Sequence, residues 1–101
     1  MGNFVKIARV EEIPEGTGKQ IDVDGKSVAL FNIGNCFYAI EAWCFHMGAP
    51  LADSDIRGTR IVCPWHRWEF DLTTGCYTRD RSKRLDCYPV KVEDGNIFAQ
   101  L

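Results

Sequence analysis

Two short motifs that pair a cysteine with a histidine constrain this chain more than any other feature. One residue separates Cys44 from His46, two residues separate Cys63 from His66, and sixteen residues lie between the motifs. His46 and His66 are also the two histidines of the chain. Thiolates and imidazoles supplied by two separate segments are typical metal ligands. These four side chains are therefore the candidate ligands of a metal centre.

Three interpretations of the four side chains are open. In the first they are ordinary core cysteines and polar histidines, which is a weak explanation because both histidines lie beside cysteines. In the second they bind zinc, but Cys₂His₂ zinc sites usually separate the cysteine pair from the histidine pair along the chain. In the third they bind a [2Fe–2S] cluster, with two thiolates on one iron and two imidazoles on the other. The mixed motifs favour this third interpretation, because each segment then gives one ligand to each iron.

Length and composition limit the class of protein. The chain has 101 residues and a net charge of −2, which predicts one domain spanning residues 1–101 and no nucleic-acid partner. No apolar run is long enough for a membrane helix, so we expect no membrane partner. The five cysteines are an odd number that cannot all pair within the chain, as in proteins of a reducing compartment. With no signal peptide evident, we expect a cytoplasmic protein.

The hydrophobic pattern predicts an all-β fold. Asp24-Gly25, Gly34-Asn35 and Asp94-Gly95 are turn signals between apolar or alternating runs, which predicts hairpins. Residues 43–58 and the charged segment 79–84 are predicted as loops, and residues 9–15 as one short helical turn. The predicted strands cover residues 4–8, 19–23, 27–33, 36–40, 60–63, 67–72, 88–92 and 97–101.

The two motifs and their spacing resemble the Rieske family, whose pattern is C-x-H, about sixteen residues, then C-x₂-H. Weaker similarities include Gly48 to Leu51, Phe70 to Gly75 and Tyr88 to Val90. The resemblance implies an antiparallel β sandwich with a small inserted cluster-binding subdomain, whose loops are at about 43–51 and 62–70. It also implies that Cys44 and Cys63 hold the buried iron, and that His46 and His66 hold the iron nearer to solvent.

The ligand set also predicts how the centre behaves as an electron acceptor. Neutral imidazoles leave the oxidised centre near zero charge, so adding an electron costs less Coulomb energy than at a four-cysteine centre. High-potential members of the family have a bridging cysteine pair and hydroxyl donors to sulfur, and here the corresponding positions are Ala49, Trp65, Trp68 and Phe70. We therefore expect a potential near the lower end of the Rieske range, about −150 mV.

These features predict an electron carrier rather than an enzyme. A Rieske oxygenase needs two further histidines for a mononuclear iron, and none remains here once His46 and His66 bind the cluster. The expected partners are a ferredoxin reductase as donor and an oxygenase or other reductase as acceptor. The alternative is a small subunit of an assimilatory nitrite reductase-type complex, in which such domains also occur.

Two secondary features bear on the surface of the protein. Residues 57–84 contain seven basic side chains and three acidic ones, a local charge of +4. A solvated face is the favoured interpretation, and steering of an acidic partner is the alternative. Cys36, Cys76 and Cys87 lie outside the motifs, and ordinary packing is the favoured role for each.

Overall fold

The computed structural model describes residues 4–23, 25–43, 48, 50–64 and 67–101, and for Arg81 the backbone alone. Within these residues the chain forms twelve strands and two short 3-10 helices, Val10–Glu12 and Leu51–Asp53. The strands are β1 (Phe4–Arg9), β2 (Thr17–Val23), β3 (Lys26–Ile33), β4 (Cys36–Glu41), β5 (Asp55–Arg57), β6 (Arg60–Val62), β7 (Glu69–Asp71), β8 (Cys76–Tyr77), β9 (Asp80–Arg84), β10 (Cys87–Tyr88), β11 (Val90–Glu93) and β12 (Asn96–Gln100). The predicted all-β class is confirmed.

The strands form three antiparallel sheets. The orders are β1-β12-β11, β10-β4-β3-β2 and β5-β6-β7-β8-β9. The last sheet is built from consecutive strands of residues 55–84, so the segment carrying the second motif forms a unit of its own. The family resemblance implies an inserted subdomain in this part of the chain.

Tight turns set the register of the hairpins. Ile33 pairs with Cys36 across Gly34 and Asn35, whose φ angles are 59° and 67°. Two consecutive positive φ angles define a type I′ turn, which matches the right-handed twist of the flanking strands. Glycine and asparagine tolerate that conformation better than other residues, so the predicted hairpin forms here.

The four-stranded sheet lies between two hydrophobic clusters, because β3 is buried on both faces. Val28 and Leu30 belong to a cluster with Ile97 and Ala99 of β12. Phe31, on the opposite face of β3, belongs to the other cluster. That cluster also contains Ala29, Ile40, Leu51, Ile61, Cys63, Phe70, Leu72 and Leu85. The five-stranded sheet is thereby attached to the rest of the protein through a continuous apolar core.

Two predictions about loops are wrong in part. Residues 80–84 form β9 rather than a charged loop, and its Cys76↔Arg84 and Tyr77↔Asp80 pairs join it to β8. The segment 43–58 contains a 3-10 helix and β5, which pairs with β6. These elements are too short to show periodicity, so the residue pattern alone does not reveal their pairing with β6 and β8. The predicted helical turn within 9–15 is confirmed by the helix Val10–Glu12. None of the helices in the described residues is long and apolar enough to cross a bilayer.

Candidate metal centre

The second motif begins where β6 ends, in a loop that the backbone closes tightly. The Cys63 N–H donates to the Trp68 carbonyl at 2.7 Å, and the Arg67 N–H donates to the Cys63 carbonyl at 3.0 Å. Val62 pairs with Glu69 just outside this loop. The connection from 63 to 68 is therefore held at its base by one hydrogen bond that the Cys63 backbone donates and one that it accepts.

Arg67 adopts a left-handed backbone conformation in this loop. Its φ angle is 57°, which for a residue with a Cβ costs roughly 1–2 kcal/mol. The Arg67 hydrogen bond to Cys63 accompanies the conformation and helps to offset its cost. This reversal returns the chain to β7, which begins six residues after the cysteine.

Cys63 is fully buried, with 0% of its surface exposed. It lies in the same hydrophobic cluster as Ile61 and Phe70, the central residues of β6 and β7. A buried thiol at the mouth of a hydrogen-bonded loop is held in one position, as a metal ligand requires.

The first motif lies in a loop that is closed in a similar way. Trp43 forms a β-bridge with Pro50, and the Leu51 N–H donates to the Ala42 carbonyl at 2.9 Å. Leu51 is fully buried and belongs to the cluster that contains Cys63. The bases of the two predicted ligand loops are therefore attached to one core.

The structure describes one of the four predicted ligands. Cys63 is placed as above, whereas Cys44, His46 and His66 lie outside the described residues. Ala49 and Trp65, invoked in predicting the potential, lie outside them too. The assignment of all four side chains as ligands stays a prediction.

Aromatic side chains pack beside the second loop. The Trp68 and Tyr77 rings stack, with centroids 4.2 Å apart and planes 6° from parallel. Phe70 lies 5.8 Å from Tyr77 and 6.4 Å from Trp68, and it is fully buried. No pattern in the sequence places Tyr77 beside this loop, because the Phe70↔Tyr77 pairing that brings it here forms only in the sheet. The aromatic side chain itself was the signal available in the sequence.

The cysteines outside the motifs are less buried than predicted. Cys36 and Cys87 are exposed, and Cys76 is half-buried. Each occupies an end of a short strand, where a side chain is covered on one side at most. Partial desolvation raises the pKa of the Cys87 thiol, while the nearby Arg84 charge opposes that shift.

The donors fit an iron–sulfur cluster of mixed ligation. The predicted donors are two cysteines and two histidines from two segments, the bases of these segments are attached to a shared apolar core, and the described cysteine is buried. An apolar surround limits water at such a cluster and thereby tunes its potential. The fold, the donor set and the buried cysteine together define the class of protein: a small β domain that carries an iron–sulfur centre.

Comparison with known proteins identifies the family. The family described as Rieske [2Fe-2S] domain matches residues 3–89, and the chain belongs to it. The chain is 32% identical to the ferredoxin component of the naphthalene 1,2-dioxygenase/salicylate 5-hydroxylase systems of Ralstonia sp., over 98% of this chain and 96% of that protein.

Solved structures agree with this assignment. The ferredoxin of carbazole 1,9a-dioxygenase from Nocardioides aromaticivorans IC177 is 29% identical, with a TM-score of 0.88 and 97% of each chain covered. A chain of the complex of reduced oxygenase and oxidized ferredoxin in carbazole 1,9a-dioxygenase is 26% identical, with a TM-score of 0.86, 96% of this chain and 92% of that chain covered. The resemblance to the Rieske family that the motifs indicate is confirmed.

Proposed function

We propose that Cys44, His46, Cys63 and His66 hold the cluster of this protein. Cys44 and Cys63 bind one iron, and His46 and His66 bind the other, which is nearer to solvent. The single observation that carries this assignment is the position of Cys63, fully buried at the mouth of a loop closed by its own backbone. The whole chain, residues 1–101, then forms one domain with cluster-binding loops at about 43–51 and 62–70.

The chain carries one [2Fe–2S] cluster and is an electron carrier, not itself an enzyme. The cluster supplies one-electron oxidation and reduction. The protein passes electrons from a reductase to an oxygenase or another redox enzyme. We place it in the cytoplasm, where reducing conditions keep Cys36, Cys76 and Cys87 as thiols.

The acceptor that fits best is the oxygenase of an aromatic-compound dioxygenase system. The relatives named above are ferredoxin components of such systems, and one of the structures pairs ferredoxin with oxygenase. In the nitrite reductase alternative, the chain would remain bound to a large partner. Gel filtration of the natively expressed protein separates the two, because a carrier elutes near its own mass of 11.5 kDa.

The ligand assignment is tested by metal analysis of matched cysteine variants. The wild type and Cys36→Ser, which removes an exposed thiol outside both loops, should each bind two irons and two acid-labile sulfides. Cys63→Ser should lose most of the iron after anaerobic reconstitution. After reduction with dithionite, the wild type and Cys36→Ser should each give the EPR signal of a mixed Cys/His centre. A zinc-loaded or colourless wild type would refute the assignment, as would a Cys63→Ser variant that retains full iron.

A further inference from the structure

A cleft of about 440 Å³ opens beside the second ligand loop. Its lining residues are Arg67, Trp68, Glu69, Tyr77, Thr78 and Arg79. Three of them are consecutive residues that follow His66 along the chain. The other three are consecutive residues of β8 and the turn that follows it. The Thr78 N–H donates to the Glu69 carbonyl at 2.9 Å, so the backbone ties the two walls together.

Aromatic rings form one side of this cleft. Trp68 and Tyr77 stack at a centroid distance of 4.2 Å and are each half-buried, so their remaining surface is open. Lys83 places its ammonium 6.0 Å from the Trp68 ring centroid. A rigid, partly exposed aromatic pair is the kind of surface that anchors protein contacts, because it buries area with little loss of side-chain entropy.

Positive charge dominates the cleft. Arg67 and Arg79 are exposed, and within the part of the chain that the structure describes neither makes an ion pair. Glu69 is the acidic side chain of the lining, and its Oε1 lies 2.8 Å from Arg60 Nη1, which neutralises it. Asp80, the next acidic side chain, accepts hydrogen bonds from the Ser82 backbone N–H and hydroxyl at 3.1 and 2.6 Å. Asp80 keeps its charge, but within the described residues it makes no ion pair with Arg67 or Arg79, so neither guanidinium group has a paired carboxylate.

We propose that this cleft binds a carboxylate-bearing segment of the redox partner. Planar guanidinium groups recognise carboxylates with two parallel hydrogen bonds, and the stacked rings cover the apolar stems of the same segment. A protein occupant suits the charge of the chain better than a nucleic acid does, because the whole molecule is at −2 and the positive surface is local.

The cleft lies beside the proposed cluster-binding loop, so a partner bound there is close to the cluster. This step of the inference rests on the proposed function. Arg67 directly follows His66, the proposed ligand of the solvent-side iron. A partner segment seated between Arg67 and Arg79 is therefore held next to that loop. Such docking would hold the partner close to the proposed cluster, at the end of the sheet where β7 begins and β8 ends.

Binding of a labelled acidic peptide tests the proposal. Fluorescein-labelled hexaglutamate is titrated with the cluster-loaded protein at about 20 mM salt, where the Debye length is roughly 20 Å, and anisotropy is recorded. Arg79→Glu lies in an exposed turn and should weaken binding at least fivefold. The matched control Arg57→Glu makes the same charge change on β5 of the same sheet, outside the cleft, and should change binding by less than twofold.

Three results would overturn the proposal. Equal weakening by the two variants would show that peptide binding depends on net charge alone. Undetectable binding by the wild type would show that the cleft is not a binding site. Tighter binding of a labelled oligothymidylate than of hexaglutamate would assign the cleft to nucleic acid. Iron and sulfide content is measured on every sample, and it tests separately whether the protein carries the cluster. If the cluster-loaded protein does not bind the peptide, only the cleft proposal is refuted. If the protein never binds the cluster, the proposed carrier function is refuted.

Discussion

Gly75 occupies a position where a single methyl group should disrupt the five-stranded sheet. Its φ angle is 78°, and a Cβ built there would collide with the Leu85 carbonyl oxygen and lie 2.7 Å from Cys87 Sγ. Leu85 cannot retreat easily, because its N–H donates to the Gly75 carbonyl at 2.8 Å and its side chain is fully buried.

The expected cost of Gly75→Ala has two parts. The left-handed conformation costs roughly 1–2 kcal/mol for an L-residue, and displacing Leu85 forfeits a backbone hydrogen bond of about 1 kcal/mol. Together these lower the free energy of unfolding by about 2–3 kcal/mol. For a domain of this size, that corresponds to a fall in Tm of at least about 10 °C.

The assay is thermal unfolding of the cluster-loaded protein, followed by far-UV circular dichroism under anaerobic conditions. Gly58→Ala is the matched control, because Gly58 has a φ angle of 63° with nothing within 4 Å of the added Cβ. It should carry the conformational cost alone. If Gly58→Ala and Gly75→Ala lower Tm equally, the contact with Leu85 contributes nothing and the reasoning fails.

Three further predictions concern single side chains. Tyr77→Ala should destabilise the fold by about 2 kcal/mol because it removes the stacked partner of Trp68, whereas Tyr77→Phe should stay within about 0.5 kcal/mol; equal losses in urea unfolding would contradict this. Asn32→Ala should cost about 1–3 kcal/mol, because the buried Asn32 Nδ2 donates to the Ile13 carbonyl at 2.8 Å; an unchanged urea midpoint would argue against it. Partial desolvation raises the pKa of the Cys87 thiol, so its alkylation by iodoacetamide should reach half its maximal rate at a pH above that of a free thiol; a lower midpoint would refute the shift.

The sign of the Cys87 effect on stability follows from the same shift. The folded state disfavours the thiolate, so the contribution of Cys87 to stability is fully present below the pKa of the unfolded thiol. It is lost as pH rises through the higher pKa of the folded state. Cys87→Ala should therefore flatten the alkaline limb of a stability profile, and an unchanged limb would count against the linkage.

The ligand motifs and the hairpin turns could be predicted from the sequence because their determinants are local. The covalent chain fixes the C-x-H and C-x₂-H spacing of the predicted donors. This spacing indicated the Rieske family, which the comparisons confirm. Gly34-Asn35 and Asp94-Gly95 supply the positive φ angles of their turns, and both hairpins form where predicted. The buried β3 was also predictable, since a strand covered on both faces is apolar at nearly every position.

The three-dimensional structure decided what depends on which strands pair and in which register. Residues 80–84 carry mostly charged side chains and no hydrophobic period, and they become β9 because β8 supplies the backbone partners. Tyr77 comes to stack on Trp68 because β7 and β8 are neighbours in one sheet. The same pairing brings Arg67 and Arg79 to the lining of one cleft. Chemistry carried by adjacent residues can be read along the chain, whereas a cleft between two strands exists only once backbone hydrogen bonds have set their register.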